Sequence, residues 1–244
     1  MSPMLVFSDF DGTICVRDTG TVIIDTGMGY DARRALDLQI LNGTISFRDG
    51  VRQMFDSVTI TWNEAVKLLH GAPLDPHFAA LHDLCKEKKI PLTVLSSGIK
   101  PLIAKHLEDY LVTEDAEKEE EQGIMTLVAN DVDYVEAEDG KSGKWNFLFR
   151  DDTPHGHDKG LSIKNYITEY QRTHRAPNNQ RPYVVFIGDG ISDISAAREA
   201  DIIFAKRGKD LETWCVNSKV DYVPWDDFGI VVDTVRRKYV ELVQ

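Results

Sequence analysis

Short apolar runs alternate with amphipathic stretches along most of this chain. Met4-Leu5-Val6-Phe7, Pro91-Leu92-Thr93-Val94-Leu95, Ile124 to Ala129, Tyr183-Val184-Val185-Phe186-Ile187 and Asp201 to Ala205 are mostly apolar and bounded by polar or turn residues. Continuous apolar runs of this length read as strands buried on both faces. Helical spacing predicts helices over Pro101 to Leu111, over Lys159 to His174 with Leu161, Ile163, Tyr166, Ile167 and Tyr170 inward, after Asp193 in an alanine-rich segment, and over Phe228 to Val243. Strands joined by helices require right-handed parallel crossovers, so the expected fold is α/β, with a doubly wound, mostly parallel sheet.

Two stretches depart from the alternation. From Ile14 to about Lys89 the pattern is helical, with Ala32 to Leu38, Phe47 to Val58, Trp62 to Leu69 and Leu74 to Lys89 as helices punctuated by Gly43, Gly71 and Pro73. A helical insertion between the first two strands would sit over the strand ends as a lid. The expected division is a core of 1–15 and 88–244 with a cap of 16–87. The second departure is a hairpin over Tyr134 to Arg150 turning at Asp139-Gly140, where Trp145, Phe147 and Phe149 alternate as strand residues that pack into a core. The acidic run Glu114 to Glu121 reads as a solvated connector, and the polar stretch Pro177 to Gln180 as a loop.

Charge narrows the partners. The net charge is −12, with no basic stripe, which argues against nucleic acid. Cys15, Cys85 and Cys215 are odd in number and lack a CxxC pair, which fits a reducing compartment without a disulfide frame or zinc site. No apolar run approaches the roughly 20 residues of a membrane span. The expectation is a cytoplasmic protein with no membrane partner, working as a monomer or homodimer.

The chemistry gathers where three strands end. Asp9 and Asp11 follow the first strand two residues apart, so both project to one face. Ser96-Ser97-Gly98 follows the second, and Asp189 and Asp193 follow the Tyr183 strand, at the start of a helix with Ser192 as candidate N-cap. Lys159 opens a helix that could approach them. Carboxylates without histidine or thiol suit a hard, oxygen-preferring ion, Mg²⁺. Ser96, the backbone N–H groups after it and Lys159 offer an anion site. An anion cradle beside a metal and a carboxylate nucleophile reads as phosphoryl transfer. Unit charges 4 Å apart interact by roughly 4 kcal/mol at an effective dielectric of about 20, so a metal and one lysine outweigh a screened surface charge.

In these motifs the chain resembles the haloacid dehalogenase superfamily over nearly its whole length. Asp9-Phe10-Asp11-Gly12-Thr13 matches the DxDxT motif, Ser96 the second motif, Lys159 the third and Gly188 to Asp193 the fourth, in order. The layout is similar to the phosphoserine phosphatase-like branch, with a Rossmann-like core and a type 1 helical cap. The resemblance implies that Asp9 attacks phosphorus and that Asp11 protonates the leaving oxygen and then activates water. It implies Mg²⁺ held by Asp9, the Asp11 carbonyl and Asp189, with Asp193 orienting a bound water or Lys159. Ser96, Ser97 and Lys159 would bind the phosphoryl oxygens.

The substrate expectation is a small-molecule phosphate ester. Counted from DxDxT, Asp18 falls where phosphoserine phosphatases place the acid that grips the substrate amine, and Phe47 falls on a cap aromatic. Their carboxylate-binding Arg falls on Met54, and Arg52 points elsewhere on the helix. A sugar or polyol phosphate bound by Asp18 is therefore favoured over phosphoserine, with phosphoethanolamine and a methionine-salvage-type sugar phosphate as alternatives. His155 and His157, in a loop rich in Pro and Gly, read as solvated. Trp225, Asp226 and Asp227 mark the approach to the last helix.

Other classes fit less well. Gly188 to Asp193 nearly spells GxGxxG, but Asp193 would repel a pyrophosphate. No P-loop is present, and no cysteine is followed six positions later by Arg. A non-catalytic phosphate-binding regulator would not need both Asp9 and Asp11. A phosphotransferase or phosphomutase stays open.

Overall fold

A computed structural model of the chain describes residues 3–111, 125–174 and 181–244. The acidic run 114–121, the 177–180 loop and Ile124 lie outside the described residues. Among those described, β1 (Met4–Ser8), β2 (Leu92–Ile99), β3 (Met125–Glu136), β4 (Gly143–Leu148), β5 (Tyr183–Gly188), β6 (Ile202–Lys206) and β7 (Val223–Trp225) form one sheet in the order β4-β3-β2-β1-β5-β6-β7. All its pairs are parallel except β3 with β4. The chain steps outward from β1 through β2 and β3, then crosses back over β1 to build β5 to β7. That reversal opens a crevice at the carboxyl ends of the central strands.

Between β1 and β2 lie α1 (Thr19–Gly27), α2 (Tyr30–Leu41), α3 (Phe47–Asp56), α4 (Trp62–His70) and α5 (Phe78–Lys88). The later helices are α6 (Lys100–His106), α7 (Lys159–His174), α8 (Ile194–Ala197), α9 (Asp210–Ser218) and α10 (Phe228–Val243). β1 is buried on both faces, and its pleat divides the core. Met4 and Val6 pack with α5, α6 and α10, while Leu5 and Phe7 pack with α7, α8 and α9. Truncating a ring as enclosed as Phe7 to alanine costs about 3–5 kcal/mol.

The helical insertion has its own apolar cluster. Ile23, Leu36, Met54, Phe55 and Leu69 meet Trp145 and Phe147 of β4 there. Trp145 stacks on Trp62 at 5.6 Å and Phe147 on Phe55 at 4.7 Å, and the Trp145 indole N–H donates to the Ile60 carbonyl at 2.9 Å. The alternating aromatics of the hairpin are the seat on which the insertion rests.

Several local expectations change. α5 starts at Phe78 because Pro73, Asp75 and Pro76 hold the chain in a turn, where the Asp75 carboxylate accepts from the N–H groups of His77 and Phe228. Its apolar face packs on the sheet core with α10. Leu161 is exposed on α7, since residues 161 and 163 lie on different sides of a helix. The alanine-rich helix is a 3-10 turn, Ile191–Asp193, followed by the single turn of α8, with Asp193 at its N-cap position in place of Ser192. Trp225 is a fully buried residue of β7, and Asp227 caps α10 by accepting from the Gly229 N–H.

Candidate active site

β1 ends by delivering Asp9 and Asp11 to the crevice while Phe10 between them turns into the core. Gly12 then takes φ +79°, and a Cβ there would lie 2.3 Å from Asp189 Oδ2. Glycine serves both the left-handed backbone and the close approach of the β5 carboxylate. At Gly188 a Cβ would meet Asp193 Oδ2 at 2.5 Å.

Lys159, the first residue of α7, is completely buried, with its ammonium 2.6 Å from Asp9 Oδ1 and 2.6 Å from Asp193 Oδ1. The other Asp193 oxygen accepts from the N–H groups of Asp189 at 2.9 Å and Gly190 at 3.0 Å. Asp193 therefore fastens the lysine to the strand end that carries Asp189. Burial by itself would lower the lysine's proton affinity, but Asp193 and Asp9 outweigh it and keep Lys159 charged.

The carboxylates are under-neutralised. Burial, with repulsion from Asp193 and Asp189, pushes Asp9 well above the usual range despite Lys159. Burial and then Asp193 raise Asp189 to about 6. Burial and then Asp18 raise Asp11 to about 7, against the pull of Thr19, whose N–H and hydroxyl both donate to Asp11 Oδ1 at 2.6 Å. Asp9, Asp189 and Asp193 each offer an oxygen within 4.8 Å of the others. No donor among the described residues reaches the Asp189 carboxylate. Such an all-oxygen acidic set fits a hard divalent cation.

A cavity of about 460 Å³ lies between these strand ends and the helical insertion. Its floor holds Asp9, Asp11 and Asp189, and Ser97 and Gly98 line it from β2. Ser96 is buried behind them, and its hydroxyl accepts from the Gly98 N–H at 2.9 Å. Asp18 lines the wall beside Thr19 and Thr21, and caps α1 by accepting from the Thr21 N–H at 2.8 Å. Ile23, Phe47, Phe55 and Phe147 supply an apolar side. The sole cation among the lining residues is Lys209, whose charge lowers the proton affinity of Asp189. Met54 is buried in the insertion's cluster, and Arg52 lies over the Phe149 ring at 5.4 Å.

Some site contacts have little trace in the sequence. Thr19 could be suspected as the residue after a helix cap, and Lys206, which donates to the Gly12 carbonyl at 2.6 Å, as another strand-end residue. His157, expected in solvent, is 2% exposed and bonded through both ring nitrogens, to the Ser96 carbonyl at 2.8 Å and the Ser162 hydroxyl at 3.1 Å. His155 is exposed, with its ring 5.7 Å from that of Phe47 at the cavity mouth.

The chain is similar in sequence and fold to known proteins. Residues 6–198 match the model of the haloacid dehalogenase-like hydrolase family. The chain is 38% identical over 228 residues to Pdp3-interacting factor 1 of Schizosaccharomyces pombe, covering 93% of this chain and 92% of that protein. It is 35% identical over 239 residues to polyol phosphate phosphatase PYP1 of Saccharomyces cerevisiae, covering 97% and 94%. A substrate-bound phosphoserine phosphatase structure superposes with a TM-score of 0.65 at 15% identity, over 94% of this chain and 97% of that one, which shows a shared fold. With a family match over residues 6–198 and relatives at 38% and 35% identity along nearly its whole length, this chain belongs to the haloacid dehalogenase-like hydrolases.

Proposed function

We propose that this hydrolase is a phosphatase that cleaves the monoester of a small, uncharged, hydroxyl-bearing alcohol, a polyol or sugar phosphate, with Mg²⁺ as cofactor. The observation that carries the reading is the cavity: three acids, Asp9, Asp11 and Asp189, on its floor, and a leaving-group wall of Asp18, Thr19 and Thr21 with no arginine among the lining residues. A second carboxylate or phosphate on the substrate would meet acids there, whereas hydroxyls would find acceptors. The yeast relative named as a polyol phosphate phosphatase supports the same class. Asp18 equally favours an amine, so phosphoethanolamine is the second reading.

In the proposed reaction an Asp9 oxygen attacks phosphorus, and the ester P–O bond breaks as Asp11 gives its proton to the leaving alcohol. Water then attacks the phosphorylated Asp9, loses its proton to Asp11, and releases inorganic phosphate with the free carboxylate. A value of about 7 leaves Asp11 divided between its two forms near neutral pH, as both steps require. Asp9 and Asp189, with the Asp11 carbonyl, would hold Mg²⁺, which when bound supplies charge neutralisation at the phosphoryl oxygens. Ser96, Ser97 and Lys159 would bind those oxygens, Lys159 also holding Asp9 in place, and Asp193 acts by positioning Lys159.

The helices within 16–87 would act as the cap over the core of 1–15 and 88–244, with α5 as its anchor on that core. No helix among the described residues is long and apolar enough to cross a membrane. Three free, buried cysteines favour the cytoplasm. One chain lines the whole cavity, which suits a working monomer or a homodimer with two independent sites. A steady-state screen of phosphorylated metabolites with and without Mg²⁺ tests the reading. Polyol or sugar phosphates should be the best substrates and activity should need the metal; preference for phosphoserine over every polyol phosphate would reject it.

A further inference from the structure

We infer that His157 and Asn130 are positioning residues that set the backbone of the Ser96-Ser97-Gly98 turn against the transferring phosphate. The inference rests on the reading that this turn and Lys159 hold the phosphoryl group. The ladder between β1 and β2 stops at Val94, and that between β2 and β3 runs to Leu95 and resumes only at Ile99 opposite Asn130. Ser96 to Gly98 therefore lie outside the registered pairs on both sides. A buried carbonyl left without a partner there would be costly.

Two side chains replace the ladder. The Ser96 carbonyl accepts from His157 Nδ1 at 2.8 Å, and the Ser97 carbonyl accepts from the Asn130 amide at 2.7 Å. A carbonyl can only accept, so Nδ1 carries the ring proton, and the bare Nε2 accepts from the Ser162 hydroxyl at 3.1 Å. Ser162 lies three residues beyond Lys159 on α7, so one rigid ring joins the turn to the helix that presents the lysine. Asn130 is oriented in turn, because its Oδ1 accepts from the Arg150 N–H at 2.9 Å. His157 is 2% exposed and Asn130 1%, and neither lines the cavity. With both carbonyls tied to these groups, the turn can offer N–H and hydroxyl groups to an anion without a carbonyl dipole opposing it.

The test uses the full chain with Mg²⁺, measuring inorganic phosphate affinity by calorimetry together with kcat and KM for the best substrate. His157→Asn keeps a donor where Nδ1 stands, whereas His157→Gln and His157→Ala do not. His157→Gln and His157→Ala should weaken phosphate binding and kcat/KM about tenfold, the value of one buried hydrogen bond, and His157→Asn should recover most of both. Asn130→Asp, which keeps size but removes the amide donor, should behave as His157→Gln. If the alanine variant does not fold, the Asn and Gln variants decide. Equal phosphate affinity in those two, or wild-type affinity in His157→Ala, overturns the inference. Phosphate binding unchanged in Lys159→Met would instead overturn the underlying site reading and the inference with it.

Discussion

Lys159 and Asp193 form an ion pair at 2.6 Å in which neither side chain is exposed to solvent. Removing the cation from such a pair leaves charge buried without a partner, which costs about 3–5 kcal/mol. Lys159→Met should lose stability of that order in metal-free buffer, because Asp9 and Asp193 both lose their counter-charge. Asp189→Asn should be neutral or stabilising there, since it removes repulsion. Denaturant midpoints compare the two, and equal losses would show that the lysine is not the neutralising group.

Asp9→Asn should lower kcat by about 10³-fold or more, as expected when a nucleophile is removed. Its fold should survive, because the replacement keeps volume and removes a carboxylate that burial already disfavours. Circular dichroism and single-turnover kinetics on one preparation separate these effects. Substantial turnover by the folded variant would exclude Asp9 as nucleophile.

A cation bound among Asp9, Asp189 and Asp193, as proposed, should make stability metal-dependent. A cation at 100 times its dissociation constant stabilises the folded state by about 2.7 kcal/mol. Chelator-treated protein should therefore melt several degrees higher on addition of MgCl₂, and Asp189→Ala should lose that response. A melting temperature indifferent to magnesium in the native chain would count against the proposed site.

His157 gives stability a pH dependence of defined sign. Burial lowers its value to about 4 from an ordinary 6.5, against the opposing pull of the Ser96 carbonyl. Between those values the unfolded chain takes up a proton that the folded one refuses, so stability falls as pH drops through this window. The loss begins near 6.5, is complete below about 4, and totals roughly 3 kcal/mol. Above 6.5 the ring is neutral in both states and contributes no slope. Denaturation midpoints from pH 7 to 4.5 should fall more steeply for the native chain than for His157→Asn; parallel curves would contradict the buried neutral ring.

Arg48 ties the insertion to the core. Its guanidinium lies 4.3 Å from the Phe149 ring centroid and donates to the carbonyls of Asp151 at 2.7 Å and Thr153 at 3.0 Å. Arg48→Ala should raise KM about five- to tenfold, with a smaller change in kcat, and should expose the insertion to limited proteolysis. Arg48→Lys should restore little, because an ammonium cannot both stack and reach two carbonyls. An unaltered KM would dismiss the contact as incidental.

How much of this could be read beforehand depended on range. Asp9, Asp11, Lys159 and Asp189 stand where strands end or helices begin, and that local context gives each a direction. The strand runs were equally legible because burial on both faces leaves an uninterrupted apolar signature. His157, Asn130 and Arg48 act on backbone carbonyls across 33 to 105 positions, and every residue type carries a carbonyl, so the partner leaves no mark in the sequence. Asn130 had one hint, a polar side chain beside the apolar run that ends at Ala129. For α5, amphipathic spacing marked the helix, but an apolar stripe does not say which core it meets.

Thr19 opens the first helix of the insertion and holds Asp11 through both its N–H and its hydroxyl. The residue proposed to move protons therefore takes its orientation from the segment that surrounds the leaving group. In the proposed reaction, recognition and reactivity meet at this contact. Rebuilding the insertion for a different alcohol would also retune the acid, so altered specificity should carry altered kcat unless the Thr19 contact is preserved.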